Sequence, residues 1–187
     1  MLKRCFDVVG AILGLVVLSP VMLLIGLAVG LETPGPAVYW SRRVGRAGKL
    51  FMMPKFRSMR ADAPDVATHL LPDPKSWITP LGGFLRRFSL DEFPQLWSIL
   101  VGHMSFVGPR PALHSQEELI RLRRVSGVND LRPGLTGWAQ VNGRDDISIA
   151  EKARFDAEYL AGRTFWMDIK IIARTAVTAF SGRGIRH

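Results

Sequence analysis

The feature that most constrains this chain is an uncharged apolar run of 24 residues near its N-terminus, from Val8 to Leu31. As one straight helix, the run would be about 36 Å long, against a bilayer hydrocarbon core of roughly 30 Å. A core helix of a soluble protein is rarely so uniformly apolar over this length. The run is also too long for the apolar region of a signal peptide, and no A-x-A-like cleavage site follows it. We therefore expect this segment to be embedded in a membrane.

Ser19-Pro20 lies near the middle of the apolar run and leaves two topologies open. Proline removes a helix hydrogen bond and kinks the helix, but spanning helices tolerate it, so one kinked helix could cross the membrane. Alternatively the helix turns back at Ser19-Pro20, and each half then reaches about half the bilayer depth. The proline alone favours crossing, but basic residues prefer the cytoplasmic side and lie at both ends of the run, which makes the two topologies about equally supported. These basic residues are Lys3, Arg4, Arg42, Arg43, Arg46 and Lys49.

The charge balance indicates an anionic partner. Lys plus Arg number 25 and Asp plus Glu number 16, so the 187-residue chain carries a net charge of +9. Phosphorylated substrates and an anionic membrane surface would both match this excess. The arginines are spread among glycine, proline and apolar residues, with no helix-turn-helix pattern, so we expect no nucleic-acid partner. The single cysteine, Cys5, excludes an internal disulfide and a metal site built on several thiolates.

Several local patterns predict secondary structure after the apolar run. Residues 37–53 resemble a short β-hairpin, with glycines marking the turn. Ser115-x-x-Glu118 and Ser148-x-x-Glu151 are capping-box patterns, each predicting a helix that begins there. Residues 166–180 repeat apolar side chains at helical spacing. That helix could lie flat in the membrane interface or pack on the protein's own core.

The adjacent carboxylates Asp91-Glu92 have a structural and a chemical interpretation. Ser89-x-x-Glu92 is itself a capping-box pattern, and acidic residues are favoured in the first turn of a helix. Pro94 complicates this interpretation, because its missing N–H is tolerated only near a helix start. If Ser89 is the cap, Pro94 breaks a helix bond. If Asp91 is the cap, Pro94 has no N–H to donate to the Asp91 side chain.

The chemical interpretation is phosphoryl transfer. Adjacent carboxylates can bind Mg²⁺, which usually bridges to substrate phosphates. A carboxylate can also attack phosphorus and form an acyl phosphate. Arg86 and Arg110 lie on either side of the pair and could neutralise phosphate charge. Two other functions remain open from the residues: a metal-dependent hydrolase of diphosphates, and a non-enzymatic membrane anchor whose basic face binds anionic partners.

Three segments, KFRSM (55–59), SLDEFPQLWSILVGHMSFVGPRP (89–111) and RPGLTGWAQVNGR (132–144), resemble motifs of the bacterial sugar transferases known as monotopic phosphoglycosyl transferases. The likeness covers nearly the whole chain. It implies an α/β fold of α+β type, mostly helical, with a small β-hairpin, amphipathic interfacial helices and a re-entrant membrane helix broken at Ser19-Pro20. It also implies one transferase domain over 1–187, with 1–32 re-entrant and 33–187 catalytic. The protein would lie on the cytosolic face of the bacterial inner membrane.

The same resemblance implies the reaction and its residues. A sugar 1-phosphate would move from a nucleoside diphosphate sugar, usually a UDP-sugar, to undecaprenyl phosphate, giving a polyprenyl diphosphate sugar and UMP. Asp91 would be the nucleophile and form a covalent phosphosugar, with Mg²⁺ bound by Asp91 and Glu92. Membrane phospholipid is an implied partner, and a homodimer is a further expectation. The substrate-binding residues implied are Lys55, Arg86, Arg110, Arg132, Gln140, Asn142, Arg144 and Asp156.

Two positions depart from the family pattern. Family members often have Asn where Ser98 stands and Asp where His103 stands. Both positions follow the acid pair without belonging to it, so the departures bear on the positioning of the site and leave its chemistry in place. No motif specifies which sugar is transferred.

Overall fold

The computed structural model describes residues 2–64, 73–143 and 147–181, and the fold is helix-rich with two small sheets. Short 3₁₀ turns cover Arg46–Gly48, Leu90–Glu92 and Val128–Asp130. The helices and strands, in chain order, are α1 Leu2–Glu32, β1 Val38–Val44, β2 Leu50–Phe56, α2 Pro74–Trp77, α3 Pro80–Arg87, α4 Gln95–Leu100, β3 Ser105–Val107, α5 Glu117–Val125, β4 Gly134–Thr136, α6 Trp138–Val141, α7 Ile149–Gly162 and α8 Phe165–Ser181.

Helix α1 keeps helical backbone bonding through Ser19-Pro20, and the re-entrant bend expected there stays a prediction. Pro20 has no N–H to donate to the carbonyl of Val16, four residues earlier. The Ser19 hydroxyl donates to that carbonyl instead, at 2.8 Å. This bond satisfies the acceptor that the proline would otherwise leave unpaired, which explains why the helix persists.

Both ends of α1 are bound to the same folded body. Near the N-terminal end, Arg4 donates to the carbonyls of Ile99 and Leu100, at 2.7 and 2.8 Å. At the other end, the Glu32 carboxylate accepts a hydrogen bond from the backbone N–H of Leu81, at 2.8 Å. A helix of 31 residues is about 46 Å long. The helix therefore lies along the body over its whole length.

One face of α1 packs on this body, and the opposite face is apolar and exposed. Ala11 and Val29 are buried, at 0% and 1% exposure. By length and composition, α1 could cross a membrane, and only 11% of its most apolar stretch is buried. A soluble core helix would be mostly buried, so this face needs another apolar environment. Its exposed side chains include Val9, Leu13, Val16, Val17, Leu23, Leu24 and Leu27.

The predicted β-hairpin is confirmed and extends to Phe56. Strands β1 and β2 pair antiparallel, with Tyr39 opposite Lys55, around the 3₁₀ turn. Side chains alternate along β2, so that Phe51 and Met53 face the core and Lys55 follows on the same side. The hairpin thereby carries Lys55 to the edge of the core. The core cluster beside it comprises Ala11, Phe51, Met53, Leu96, Ile99 and Met104.

A second sheet, absent from the sequence predictions, consists of the parallel strands β3 and β4. Glycines allow these two segments to approach closely. A Cβ on Gly134 would lie 2.1 Å from the nitrogen of Gly108, and one on Gly137 would lie 2.1 Å from the Gly108 carbonyl oxygen. Parallel strands end at the same edge of a sheet, so the segments that follow β3 and β4 lie together.

The predicted helix starts have different outcomes. Ser148 caps α7, and the reciprocal bond from its backbone N–H to the Glu151 carboxylate is 2.9 Å, so this capping box is confirmed. Helix α5 begins at Glu117 without a side-chain cap, so the box at Ser115 is wrong. There the Gln116 side chain bonds instead to the backbone N–H of Leu113.

Helix α8 packs on the protein's own core, one of the two alternatives left open for residues 166–180, and the interfacial alternative stays a prediction. Ile171 is fully buried against Val107 and Tyr159 and belongs to the core. Trp166 and Val177 are 78% and 69% exposed. One face of α8 therefore packs on the protein, and another presents large apolar side chains outward.

Candidate active site

The acid pair lies in a 3₁₀ turn between α3 and α4. Ser89, just before it, has a left-handed backbone at φ 56°, ψ 24°, which is uncommon for a residue other than glycine. Its side chain makes no capping bond, and α4 begins only at Gln95, after Pro94. The capping-box interpretation of Ser89 and Glu92 is therefore wrong. The carboxylates are available for other contacts.

Apolar neighbours fix the orientation of this turn. Leu90 and Phe93 pack against a buried cluster made of Ile25, Val29, Phe56 and Leu85. Asp91 and Glu92 lie between these two apolar anchors, so burial of the anchors determines where the carboxylates point. Asp91 is 7% exposed. Among the described residues Asp91 accepts no hydrogen bond, although Lys55 forms an ion pair with it.

Lys55 contacts both carboxylates from strand β2. Its Nζ lies 2.9 Å from Glu92 Oε1 and 4.0 Å from Asp91 Oδ2. Lys55 is only 17% exposed, so water screens these interactions little. The hairpin therefore holds a cation within reach of both acids.

Arg86 approaches the pair from helix α3. Gly82 brings this helix close to the next segment: a Cβ there would lie 2.1 Å from the Ser58 carbonyl oxygen. One turn later, Arg86 Nε donates to Ser58 Oγ at 2.8 Å. Burial lowers the pKa of the Arg86 guanidinium, and the negative charge of Asp91 opposes that shift. Arg86 is thus a half-buried cation within the electrostatic reach of Asp91.

Arg110 completes the group from the segment after β3. Its Nη2 donates to Glu92 Oε1 at 2.8 Å, and its side chain is 47% exposed. Among the described residues, three cations therefore surround the two carboxylates. An anionic phosphate group would be attracted to this arrangement.

The pKa values of the two adjacent carboxyl groups, Asp91 and Glu92, are shifted in opposite directions. Burial raises the pKa of Asp91, and although Lys55 opposes this shift, Glu92 reinforces it. Burial acts on Glu92 as well, but Arg110 and Lys55 outweigh it and hold the Glu92 pKa well below its usual range. Paired acids with diverging pKa values are typical of sites in which the two groups have different roles. Asp91 is the more basic carboxylate, and Glu92 is the stable anion.

Asp156 forms no hydrogen bond or ion pair with Asp91 or Glu92 among the described residues. It is connected to the site through Arg123, which bonds to the Arg110 carbonyl. It is 1% exposed, and its Oδ2 accepts bonds from Arg123 Nε and Nη2 at 2.8 and 2.6 Å. Burial raises the pKa of Asp156, and Arg123 opposes the shift. Arg123 was missed by the sequence analysis. Its signal was its position four residues after the buried Leu119, on the same face of α5.

The other predicted residues lie elsewhere in the structure. Arg132 donates to the Gly102 carbonyl at 2.9 Å and lines a cavity of about 370 Å³ at the N-terminal end of α1. Asn142 donates to the carbonyl of Trp138 at 2.7 Å, which stabilises the end of α6. Gln140 has a buried amide without a partner among the described residues. Arg144 lies outside the described residues.

The two departures from the family pattern are both beside the core. Ser98 is 1% exposed, and its hydroxyl has no partner in the part of the chain that the structure describes. The His103 ring packs against Phe51, with ring centroids 5.5 Å apart. Neither residue contacts the acid pair within the described ranges.

Known proteins resemble this chain over most of its length. Over 190 residues it is 42% identical to the UDP-glucose:undecaprenyl-phosphate glucose-1-phosphate transferase of Escherichia coli (strain K12), covering 96% of this chain and 40% of that protein. Over 193 residues it is 40% identical to the undecaprenyl-phosphate galactose phosphotransferase of Salmonella typhimurium (strain LT2), covering 94% of this chain and 40% of that protein. The chain thus spans about two fifths of the length of these two relatives.

A relative of similar length also matches. Over 199 residues the chain is 36% identical to the exopolysaccharide production protein ExoY of Rhizobium meliloti (strain 1021), covering 98% of this chain and 88% of that protein. The family model described as bacterial sugar transferase matches residues 1–182. On this match, together with these relatives, the chain belongs to the bacterial sugar transferase family.

Proposed function

We propose that this protein transfers a sugar 1-phosphate from a UDP-sugar to undecaprenyl phosphate, releasing UMP. The observation that carries the proposal is the convergence of Lys55, Arg86 and Arg110 on the Asp91-Glu92 turn. Two relatives are named as transferases of this kind, for glucose and for galactose. A cluster of three cations around a basic carboxylate suits attack on a diphosphate.

Asp91 is the proposed nucleophile. One of its carboxylate oxygens attacks the phosphorus that carries the sugar, and a new P–O bond forms. The P–O bond to the bridging oxygen breaks, and UMP leaves with that oxygen. An oxygen of undecaprenyl phosphate then attacks the same phosphorus and displaces the Asp91 carboxylate. Lys55, Arg86 and Arg110 would stabilise the charge that develops on the phosphate oxygens.

Mg²⁺ fits the donor set of this site. Asp91 and Glu92 would hold it through carboxylate oxygens, the ligand type that Mg²⁺ prefers. Within the described ranges no group of three or more His, Cys, Asp or Glu could hold a metal. Of the described residues, Asp91 and Glu92 would supply the protein ligands, and substrate phosphates and water would complete the set, as is common for Mg²⁺. Bound there, Mg²⁺ would supply charge neutralisation on the diphosphate.

We also propose that α1 enters and leaves the membrane on the cytosolic side without crossing it. Its two ends are bonded to the same body, through Arg4 and Glu32. A crossing helix would place its two ends on opposite sides of the hydrocarbon, where one cytosolic body could not bond to both. The exposed apolar face of α1, with Trp166 and Val177 on α8, would contact phospholipid.

The topology can be tested with the single cysteine. Cys5 is exposed near the N-terminal end of α1. A membrane-impermeant maleimide should label Cys5 in inverted vesicles and fail to label it in intact spheroplasts. A C5S/S115C variant, with its cysteine on the catalytic part, provides the matched reference. Labelling of Cys5 only from the outside would mean that α1 crosses the bilayer.

The activity is tested by UMP release from full-length protein in nanodiscs, with Mg²⁺, undecaprenyl phosphate and a panel of UDP-sugars. We expect Asp91→Asn to abolish turnover while the protein stays folded in the membrane. Asp73→Asn alters an exposed aspartate and should leave turnover unchanged. Without lipid acceptor, wild type should release about one UMP per enzyme and gain the mass of a phosphosugar at Asp91. Sustained turnover without lipid would indicate a hydrolase. Normal turnover by Asp91→Asn would show that Asp91 is not the nucleophile.

A further inference from the structure

A buried ion pair holds the backbone of Arg110 from behind the acid pair. Arg123 on α5 is 6% exposed, and Asp156 on α7 is 1% exposed. Two nitrogens of the Arg123 guanidinium, Nε and Nη2, donate to the Asp156 carboxylate. The remaining nitrogen, Nη1, donates to the backbone carbonyl of Arg110 at 2.9 Å. All three guanidinium nitrogens are therefore engaged, two by a side chain and one by the backbone.

The shape of the guanidinium makes these contacts interdependent. The group is planar, and its donors point in fixed directions. Once Asp156 holds two of the nitrogens, the direction of the third is determined, and it points at the Arg110 carbonyl. Pro109 and Pro111 flank Arg110 and restrict the backbone on both sides. Fixing this one carbonyl therefore fixes where the Arg110 side chain begins.

Net stability alone does not account for such a pair. Removing two charges from water costs several kcal/mol per ion, and the attraction between them repays that cost only with good geometry. An apolar pair of similar volume often stabilises a fold equally well. What an apolar pair could not provide is a donor directed at the Arg110 carbonyl. The contact to the backbone is the feature that distinguishes this pair from ordinary core packing.

We infer that Arg123, oriented by Asp156, is a positioning residue that places the Arg110 guanidinium on Glu92. The inference rests on the proposed function, in which Arg110 neutralises phosphate charge. It gives Asp156 a different role from the substrate contact that the family resemblance implies. Neither Arg123 nor Asp156 would touch the reacting atoms.

The first test compares Arg123→Met, Arg123→Lys and Asp156→Asn in full-length protein in nanodiscs. Arg124→Met is the matched control, because Arg124 is the next residue on the same helix and is exposed. We expect Arg123→Met and Asp156→Asn to lower kcat by about 100-fold with KM changed by less than about threefold, since small displacements of a catalytic group have effects of this size. Arg123→Lys should recover part of kcat, and Arg124→Met should match wild type. Wild-type kcat in folded Arg123→Met would overturn the inference.

A second test separates positioning from a general effect on folding. In the background of Arg110→Met, the group that Arg123 positions is absent. Adding Arg123→Met should then lower kcat by less than about threefold further, because residues that act through one contact are not additive. If the two losses multiply in full, Arg123 acts independently of Arg110, and the inference is wrong.

A third readout does not depend on turnover. The Nη2 protons of Arg110, which bond to Glu92 and are identified by their loss in Arg110→Met, should exchange slowly with solvent in wild type and in Arg124→Met. They should lose that protection in folded Arg123→Met. If wild type releases no UMP from any donor, the proposed function fails, and these resonances alone decide the positioning role. Protection that persists in Arg123→Met would refute it.

Discussion

Replacing Lys55 by methionine removes the one cation that lies within 4.0 Å of both acids among the described residues. Two unit charges 4 Å apart interact by about 4 kcal/mol at an effective dielectric constant of about 20, which suits a site so little exposed. Glu92 keeps its bond to Arg110 in this variant. The substitution therefore mainly removes the favourable electrostatic interaction of Lys55 with Asp91 and with the phosphate that Asp91 attacks.

We expect Lys55→Met to lose about 3 to 4 kcal/mol of transition-state stabilisation, the range typical for removal of one preorganised electrostatic group. This corresponds to a fall in kcat of about 10²- to 10³-fold. Lys55→Arg keeps the charge and should fall by only about tenfold, because a guanidinium differs from an ammonium in shape. Thermal unfolding of each variant, measured alongside UMP release, shows whether the comparison is made between folded proteins.

The kcat deficit of Lys55→Met should also depend on pH. Lys55 opposes the shift that burial imposes on Asp91, so removing Lys55 raises the pKa of Asp91 further. The nucleophile must be ionised, and the acid limb of the pH–rate profile should therefore move to higher pH. The deficit of Lys55→Met should be largest at low pH and shrink as pH rises. A deficit that is equal at every pH, or a kcat within about threefold of wild type, would refute the electrostatic role assigned to Lys55.

Two further predictions concern stability, read from thermal or denaturant unfolding. Gly137→Ala places a Cβ 2.1 Å from the Gly108 carbonyl oxygen, so we expect the free energy of unfolding to fall by about 1–3 kcal/mol. Gly83→Ala is the control, because its Cβ would meet no atom closer than 3.9 Å, and it should leave the protein as stable as wild type or more stable. Unchanged stability in Gly137→Ala would contradict the close approach of the segments after β3 and β4. Ser148→Ala removes the cap of α7 and should cost about 1 kcal/mol, whereas Ser115→Ala should stay within about 0.5 kcal/mol. Equal losses at the two serines would show that both boxes form.

Local signals predicted the elements whose contacts are local. The hairpin is confirmed because its turn and its paired strands lie within one short stretch. The box at Ser148 forms because both of its bonds join residues three positions apart. The same four-residue pattern at Ser89 and Ser115 gives no cap. At Ser89 the Glu92 carboxylate is taken by Lys55, 37 positions away, a competitor that a four-residue pattern cannot reveal.

The missed parts of the site depend on contacts between distant segments. Strands β3 and β4 are three residues each, too short for alternation to identify them, and glycines rather than apolar side chains bring them together. Arg123 and Asp156 are 33 positions apart, on helices whose own patterns predict only that one face is buried. Their pairing follows from how α5 packs on α7.

The family motifs predicted that Asp156 and Arg110 both bind substrate, but their contacts in the structure differ. Arg110 reaches Glu92 with its side chain, while its carbonyl is held by the guanidinium that Asp156 orients. A substitution at either position would reduce turnover, so activity alone cannot tell a residue that touches phosphate from one that supports it. Because the support acts through one backbone carbonyl, the two roles differ in a measurable way. Loss of Asp156 should have little further effect once the Arg110 side chain is gone, whereas loss of Lys55, which also pairs with Asp91, should still lower turnover.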